Sequence, residues 1–138
     1  SMPQVSQIMS SDVLSLTTTA RVIDVLRMMS GANVRHIPVL DDEGNMAGLL
    51  SDRDMHQFGD SDEISADVVM RYLHTPASQL MTTNPEVVGP TASLDEAADR
   101  MIRSKISALP VVDDGKVVGV LSVVDLLVWM RKQGTLGR

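Results

Sequence analysis

The chain has 138 residues, which suits one compact domain or two small halves sharing a core, and a chain this long buries about two-thirds of its unfolded surface without staples. The absence of cysteine excludes disulfides and thiolate metal sites, and a formal charge of −6 argues against a general nucleic-acid binder. No apolar run approaches a membrane span and no basic-then-apolar start marks a signal peptide, so a cytoplasmic protein with no membrane partner is expected.

In chain order, Val13-Leu14-Ser15-Leu16 reads as a short apolar strand. A helix follows with Val22, Val25, Leu26 and Met29 on one face, and Gly31 and Asn33 supply its stop signal. Ile37-Pro38-Val39-Leu40 and Met46-Ala47-Gly48-Leu49-Leu50 are two strands, joined by Asp41-Asp42-Glu43-Gly44-Asn45 as a hairpin. A closing helix is expected to begin near Asp54. Gly59 to Glu63 form a polar, acidic loop, and Ile64 to Leu73 a linking helix.

The order then repeats. Glu86-Val87-Val88 is a weak strand, and Ser93-Leu94-Asp95-Glu96 has the capping-box spacing. The helix it opens carries Leu94, Ala97, Ala98, Met101 and Ile102 on one face. Leu109-Pro110-Val111-Val112 and Val117-Val118-Gly119-Val120-Leu121 form a second hairpin around Asp113-Asp114-Gly115-Lys116. Pro38 and Pro110 lack an amide donor, so each is expected at a strand start or edge. A helix from Asp125 carries Leu126, Leu127, Trp129 and Met130, ends in Arg131 and Lys132, and leaves residues 133–138 to fray.

The correspondence reaches individual residues. Ser6-Gln7-Ile8-Met9 returns as Ser78-Gln79-Leu80-Met81, and His36-Ile37-Pro38-Val39 as Ala108-Leu109-Pro110-Val111, both 72 positions on. Gly48-Leu49-Leu50-Ser51-Asp52-Arg53-Asp54 returns as Gly119-Val120-Leu121-Ser122-Val123-Val124-Asp125, after a one-residue deletion in the second turn. Repeats at residues 5–58 and 76–132 follow, with residues 59–75 between them. Two copies facing each other would leave a cleft.

These motifs, in this order and twice over, resemble the CBS domain, named after cystathionine β-synthase, and the pair resembles a tandem CBS (Bateman) module. The resemblance runs from about Val5 to Met130. It implies an α/β (α+β) fold of two pseudo-symmetric β-α-β-β-α units packed sheet to sheet. It also implies an adenosine-bearing ligand (AMP, ADP, ATP or S-adenosylmethionine) in the cleft, a regulatory rather than catalytic role, a regulated partner protein, and a homodimer forming a four-CBS disc.

Ser51-x-x-Asp54 and Ser122-x-x-Asp125 admit two uses. The plain one is helix capping. The other uses the same helix start for a phosphate, with the Ser hydroxyl as donor and the carboxylate accepting from vicinal ribose hydroxyls. The resemblance favours ribose recognition by Asp54 and Asp125. Arg35 and His36 are a solvated Arg and a half-buried His at a strand end, or a phosphate clamp, and the resemblance favours the clamp; Arg53, beside Ser51, closes that clamp or sits in water. The second copy has Ser107-Ala108 and Val123-Val124 in the corresponding places, so the two sites are expected to be unequal. Ala108 would leave room for an adenine edge, walled by Ile106, Leu109 and Pro110; Ile37 and Pro38 are candidate binding residues of the first copy. Val13, Leu14, Val87 and Val88 lie where family members contact the base, though core packing is the commoner fate of such side chains. Ser10 and Thr82 rank lower as polar contacts. No metal site, nucleophile elbow or phosphate-binding lysine motif is present. The competing reading is a ligand-free dimerisation scaffold, for which Met28, Met29, Trp129 and Met130 are the residues to watch as an exposed apolar stripe.

Overall fold

The computed structural model describes residues 2–56 and 64–137. The acidic loop expected over 59–63, and any continuation of the first closing helix past His56, lie outside them. Two compact units make up the chain, and neither coincides with a sequence repeat. Leu14–Pro85 form a central unit, while Ser1–Val13 and Glu86–Arg138 together form a terminal unit.

In the central unit, β1 (Leu16–Thr17) runs parallel to β2 (His36–Leu40), which pairs antiparallel with β3 (Met46–Ser51). Helix α2 (Val22–Ala32) opens where the Asp24 carboxylate accepts from the Arg21 N–H at 2.9 Å. It closes on Asn33, whose left-handed φ of 54° suits a short polar side chain. Helix α3 (Ala66–Leu73) starts at Ser65, whose Oγ accepts from the Val68 N–H. Val22, Val25, Met29, Ile37, Val39, Leu50, Met55 and Ala77 are the buried core.

The terminal unit repeats the plan. It holds α1 (Val5–Ile8), α4 (Leu94–Ser104), the hairpin β4 (Ala108–Asp113) and β5 (Lys116–Ser122), and α5 (Val123–Lys132). The hairpin turns at Asp114 and Gly115, both with positive φ, the backbone that a two-residue primed turn requires. Its core is Val5, Val88, Leu94, Ala97, Met101, Leu109, Val111 and Leu121.

Each unit is completed by a segment of the other repeat. Val5, Ile8 and Met9 join the terminal core, while Ala77, Leu80 and Met81 join the central one. The seam is backbone on backbone. Val5 N–H donates to the Ala92 carbonyl at 2.8 Å, and Ala77 N–H to the Ala20 carbonyl at 2.9 Å. Further along, Ser10 exchanges two hydrogen bonds with Val120 (both 3.0 Å), and Thr82 exchanges two with Leu49 (3.0 and 2.9 Å). The repeated Met before Ser10 and Thr82 lies across the glycine of the hairpin. A Cβ on Gly48 would meet the Met81 side chain and come within 2.9 Å of the Thr82 carbonyl; one on Gly119 would meet Met9 and come within 3.0 Å of the Ser10 carbonyl.

Several expectations are corrected. The first strand is Leu16–Thr17, not 13–16: Leu14 is 42 % exposed, and Val13 belongs to the terminal unit. Around 86–88 only Val88 pairs, in one parallel bridge to Val111. Gly31 does not stop α2, which runs to Ala32. Pro38 sits inside β2, the central strand of its sheet, whereas Pro110 lies on β4, an edge strand as expected; both are fully buried. The Pro110 carbonyl accepts from the Val88 N–H at 3.1 Å on the outer flank, so the missing donor faces that short flank rather than the hairpin. Ser93 caps α4 through its Oγ, but the Glu96 carboxylate turns to Arg100 at 3.1 Å. Ile102 is 75 % exposed, one position beyond the buried stripe of Leu94, Ala97 and Met101. After β3 the chain forms a 3-10 turn over Asp52–His56, and Thr135–Gly137 form another. The exposed apolar stripe is not Met28, Met29, Trp129 and Met130 but Val123, Val124, Leu127 and Val128 on α5. No helix of the described residues is long and apolar enough to cross a membrane.

Gly119→Ala should cost about 1–3 kcal/mol in chemical denaturation, because backbone as well as the Met9 side chain must move, and Met9→Ala in the same chain should recover part of it. Residues 14–85 alone keep every member of the central core and should unfold cooperatively. Residues 1–58, lacking Ala77, Leu80 and Met81, should not; circular dichroism on heating separates the two outcomes.

Candidate functional site

Each unit carries the same device at the end of its hairpin. In the central unit His36 lies opposite Ser51 across β2 and β3, and the Asp52 N–H donates to the Arg35 carbonyl at 2.8 Å. Ser51 N–H donates to Asp54 Oδ2 at 2.8 Å, and Asp54 N–H reaches Ser51 Oγ at 3.3 Å. This reciprocal pair is a capping box on the 3-10 turn. In the terminal unit Ala108 lies opposite Ser122, and the Val123 N–H donates to the Ser107 carbonyl at 2.9 Å. Ser122 N–H donates to Asp125 Oδ2 at 2.9 Å, and Asp125 N–H to Ser122 Oγ at 3.1 Å. Capping uses Oδ2 of each carboxylate, so Oδ1 is the oxygen positioned to accept anything further.

The fold therefore brings Arg35, His36, Ser51, Asp52, Arg53 and Asp54 together on one unit, and Ser107, Ala108, Ser122 and Asp125 on the other. Arg35 and Arg53 are exposed, whereas His36, Ser51 and Asp54 are half-buried. Ile37 and Leu109 are members of their core clusters, and Pro38 and Pro110 are buried beside them. These four hold the strands in place beneath the polar groups. Val13 groups with the terminal unit, as does the half-buried Val87. Val87 offers its carbonyl to Arg100.

Charge separates the two devices. Burial holds the His36 imidazole below the ordinary histidine range; Asp54 and Asp52 pull it upward and Arg35 pushes it down again. Asp52 also pairs with His56 Nε2 at 3.5 Å. The i,i+4 spacing of Asp52 and His56 is the sequence signal for this pair. On the terminal unit the places of Asp52 and Arg53 are taken by Val123 and Val124, 38 % and 65 % exposed. A second unforeseen contact comes from α3: the Tyr72 hydroxyl donates to the Met55 carbonyl, one residue past Asp54. Burial pushes the Tyr72 ionisation up, which keeps that donor protonated. Among the described residues no group of three or more His, Asp or Glu could hold a metal ion.

The device, its recurrence and the two hairpin sheets define a known class. The CBS domain model matches residues 5–58 and 77–132, and the chain belongs to the CBS domain family. It is 29 % identical over 127 residues to the CBS domain-containing protein YhcV of Bacillus subtilis, covering 92 % of this chain and 85 % of that protein. Among solved structures, CBSX2, an Arabidopsis thaliana CBS-pair protein, in complex with AMP superposes with a TM-score of 0.80 at 26 % identity, over 94 % of this chain and 97 % of that one. The CBS domain pair of MJ0100, in complex with 5′-methylthioadenosine and S-adenosyl-L-methionine, shares the fold with a TM-score of 0.80 at 22 % identity, over 96 % and 99 %.

The lowered His36 value fixes a stability trend. In the unfolded chain the ring titrates near the ordinary value of 6.5, so folding favours the neutral form. Its contribution is complete above that value and is lost as pH falls from there toward the lower folded value. The denaturation midpoint should drop across that window, and His36→Gln should flatten the drop.

Proposed function

We propose that the chain is a regulatory module that binds an adenosine-bearing small molecule and passes its occupancy to a partner protein, without catalysis of its own. The observation that carries this reading is the capping box repeated on both units. It fixes each carboxylate through Oδ2, and among the described residues Oδ1 accepts no hydrogen bond, so it can accept from the vicinal hydroxyls of a ribose. The AMP complex of CBSX2 supports the choice of ligand class. Asp54 and Asp125 take the ribose, Ser51 and Ser122 with the helix-start amides face the phosphate side, and Arg35, His36 and Arg53 supply positive charge on the central unit. Ile37 and Pro38 lie beneath the polar groups of the central unit, and Leu109 and Pro110 beneath those of the terminal unit, where Ala108, Val13 and Val87 are the candidates for the base side. AMP, ADP, ATP and S-adenosylmethionine are the candidate ligands, and the cytoplasm is the compartment where they abound.

A ligand at a hundred times its dissociation constant should add about 2.7 kcal/mol of stability. Thermal unfolding with AMP, ADP, ATP, S-adenosylmethionine and NADH reads this directly. Asp54→Asn and Asp125→Asn keep a capping oxygen but lose the charged acceptor. At the occupied position the change should weaken binding about tenfold or more, while stability without ligand shifts by less than about 1 kcal/mol. Unchanged affinity in both variants would leave capping as the only role.

The exposed row of Val123, Val124, Leu127 and Val128 favours a second reading, a homodimer assembled through α5 and indifferent to ligand. Sedimentation equilibrium should show a dimer that Leu127→Glu converts to monomer; a monomeric parent protein removes this reading.

A further inference from the structure

Resting on the adenosine-ligand reading, we propose that Tyr72 is a positioning residue for the central site: its hydroxyl holds the carbonyl end of the Asp54 turn, so that a ligand at Asp54 and the seating of α3 reinforce each other.

The two units support the same carboxylate by different means. On the terminal unit Asp125 stands in the first turn of α5, which is ten residues long. Leu126, the counterpart of Met55, lies inside that helix, where the next turn supplies its carbonyl with a partner. On the central unit Asp54 stands in a 3-10 turn of five residues, Asp52–His56. Such turns have poorer hydrogen-bond geometry and leave their last carbonyls without partners of their own. The amino end of this turn is pinned by the Asp52 N–H on the Arg35 carbonyl and by the reciprocal pair of Ser51 and Asp54. At the carbonyl end Met55 buries its side chain in the central core, and its carbonyl accepts from the Tyr72 hydroxyl, 17 residues on. Asp54 is thus held between a cap in front and a phenol behind.

Tyr72 in turn belongs to a helix seated on one side only. No residue of α3 is fully buried; Tyr72 and Leu73 pack half-buried against the central core, while Ala66, Asp67, Met70 and Arg71 are exposed. Just past its end, the Thr75 carbonyl accepts from the Val22 N–H at 2.9 Å, and His74 Nδ1 lies 3.1 Å from Arg21 Nη1. Those contacts fix the end of α3 to the start of α2, and the Tyr72 hydroxyl ties the same helix to the Asp54 turn. A ligand that orders the turn through Asp54 therefore favours the seated helix, and by reciprocity a seated helix raises affinity for that ligand. The chain has one tyrosine, so the terminal unit has no second copy of the contact.

The test is calorimetric titration of AMP, ADP, ATP and S-adenosylmethionine into the intact chain, well below its unfolding temperature, repeated with Asp54→Asn and Tyr72→Phe. Sensitivity to Asp54→Asn marks the ligand held by the central unit. For that ligand Tyr72→Phe, which removes only the hydroxyl, should weaken affinity about threefold to tenfold, the range of one hydrogen bond. Amide hydrogen exchange adds a readout that a purely structural role would not move. Saturating ligand should slow exchange across Ala66–Leu73 in the parent, and in Tyr72→Phe that gain should vanish at equal occupancy. Unchanged affinity in Tyr72→Phe, or a gain over α3 that survives it, overturns the positioning role and leaves the adenosine reading standing. Binding that is insensitive to Asp54→Asn for every ligand overturns it as well. No binding of any of the four overturns both readings. Where Tyr72→Phe folds poorly, the parent decides: bound ligand with no slowing over α3 overturns the coupling.

Discussion

Everything in this molecule depends on the close approach of a Met-Ser or Met-Thr segment to a hairpin that carries glycine at the point of contact. Met81 and Thr82 lie over Gly48, and Met9 and Ser10 lie over Gly119. Each approach is sealed by a pair of backbone hydrogen bonds, so the outer edge of β3 or β5 is satisfied there rather than left open. A side chain at either glycine would hold the segment off and uncover that edge. The thioethers suit the task because they are unbranched and adapt to a flat backbone surface. The same segments deliver Val5 and Ala77 into the two cores, which ties edge protection and core completion to one contact.

This exchange explains what the sequence disclosed and what it withheld. Strands and helices that bury a face announced themselves through periodicity: β2 to β5, α2 and α4 stand within a residue or two of their expected places. Asn33 ended α2 as its backbone preference requires, but Gly31 did not, because a glycine inside a helix is a modest cost when the flanking residues are held by packing. The first strand was misplaced because apolar residues at 13–14 look the same whether they pair or merely cross the surface. The Met-Ser and Met-Thr segments were legible as repeat markers, yet nothing in local sequence says that each is used by the other repeat. That information resides in long-range pairing.

The candidate site shows the same division. Ser-x-x-Asp could be read as a cap from spacing alone, and the reciprocal hydrogen bonds on both units have that form. The inequality of the two copies was also legible, since three cationic positions of the first are absent from the second. What spacing could not convey is the field around His36. It arises from Asp52 and Asp54 on a turn and Arg35 on a strand, and from partial burial that no residue string encodes. Symmetric backbones thus carry asymmetric electrostatics: one unit presents a titratable cluster, the other valines and an alanine at the corresponding places.

The interleaving of the segments also sets an order of events during synthesis. All residues of the central unit are contiguous, so it can close as soon as Pro85 has left the ribosome. The leading residues cannot. Val5 meets Ala92 and Leu94, and Met9 meets Gly119 of β5, more than a hundred residues after it in the chain. During synthesis the apolar residues Val5, Ile8 and Met9 therefore stay without their native packing until the terminal hairpin is complete, long after the central unit can close.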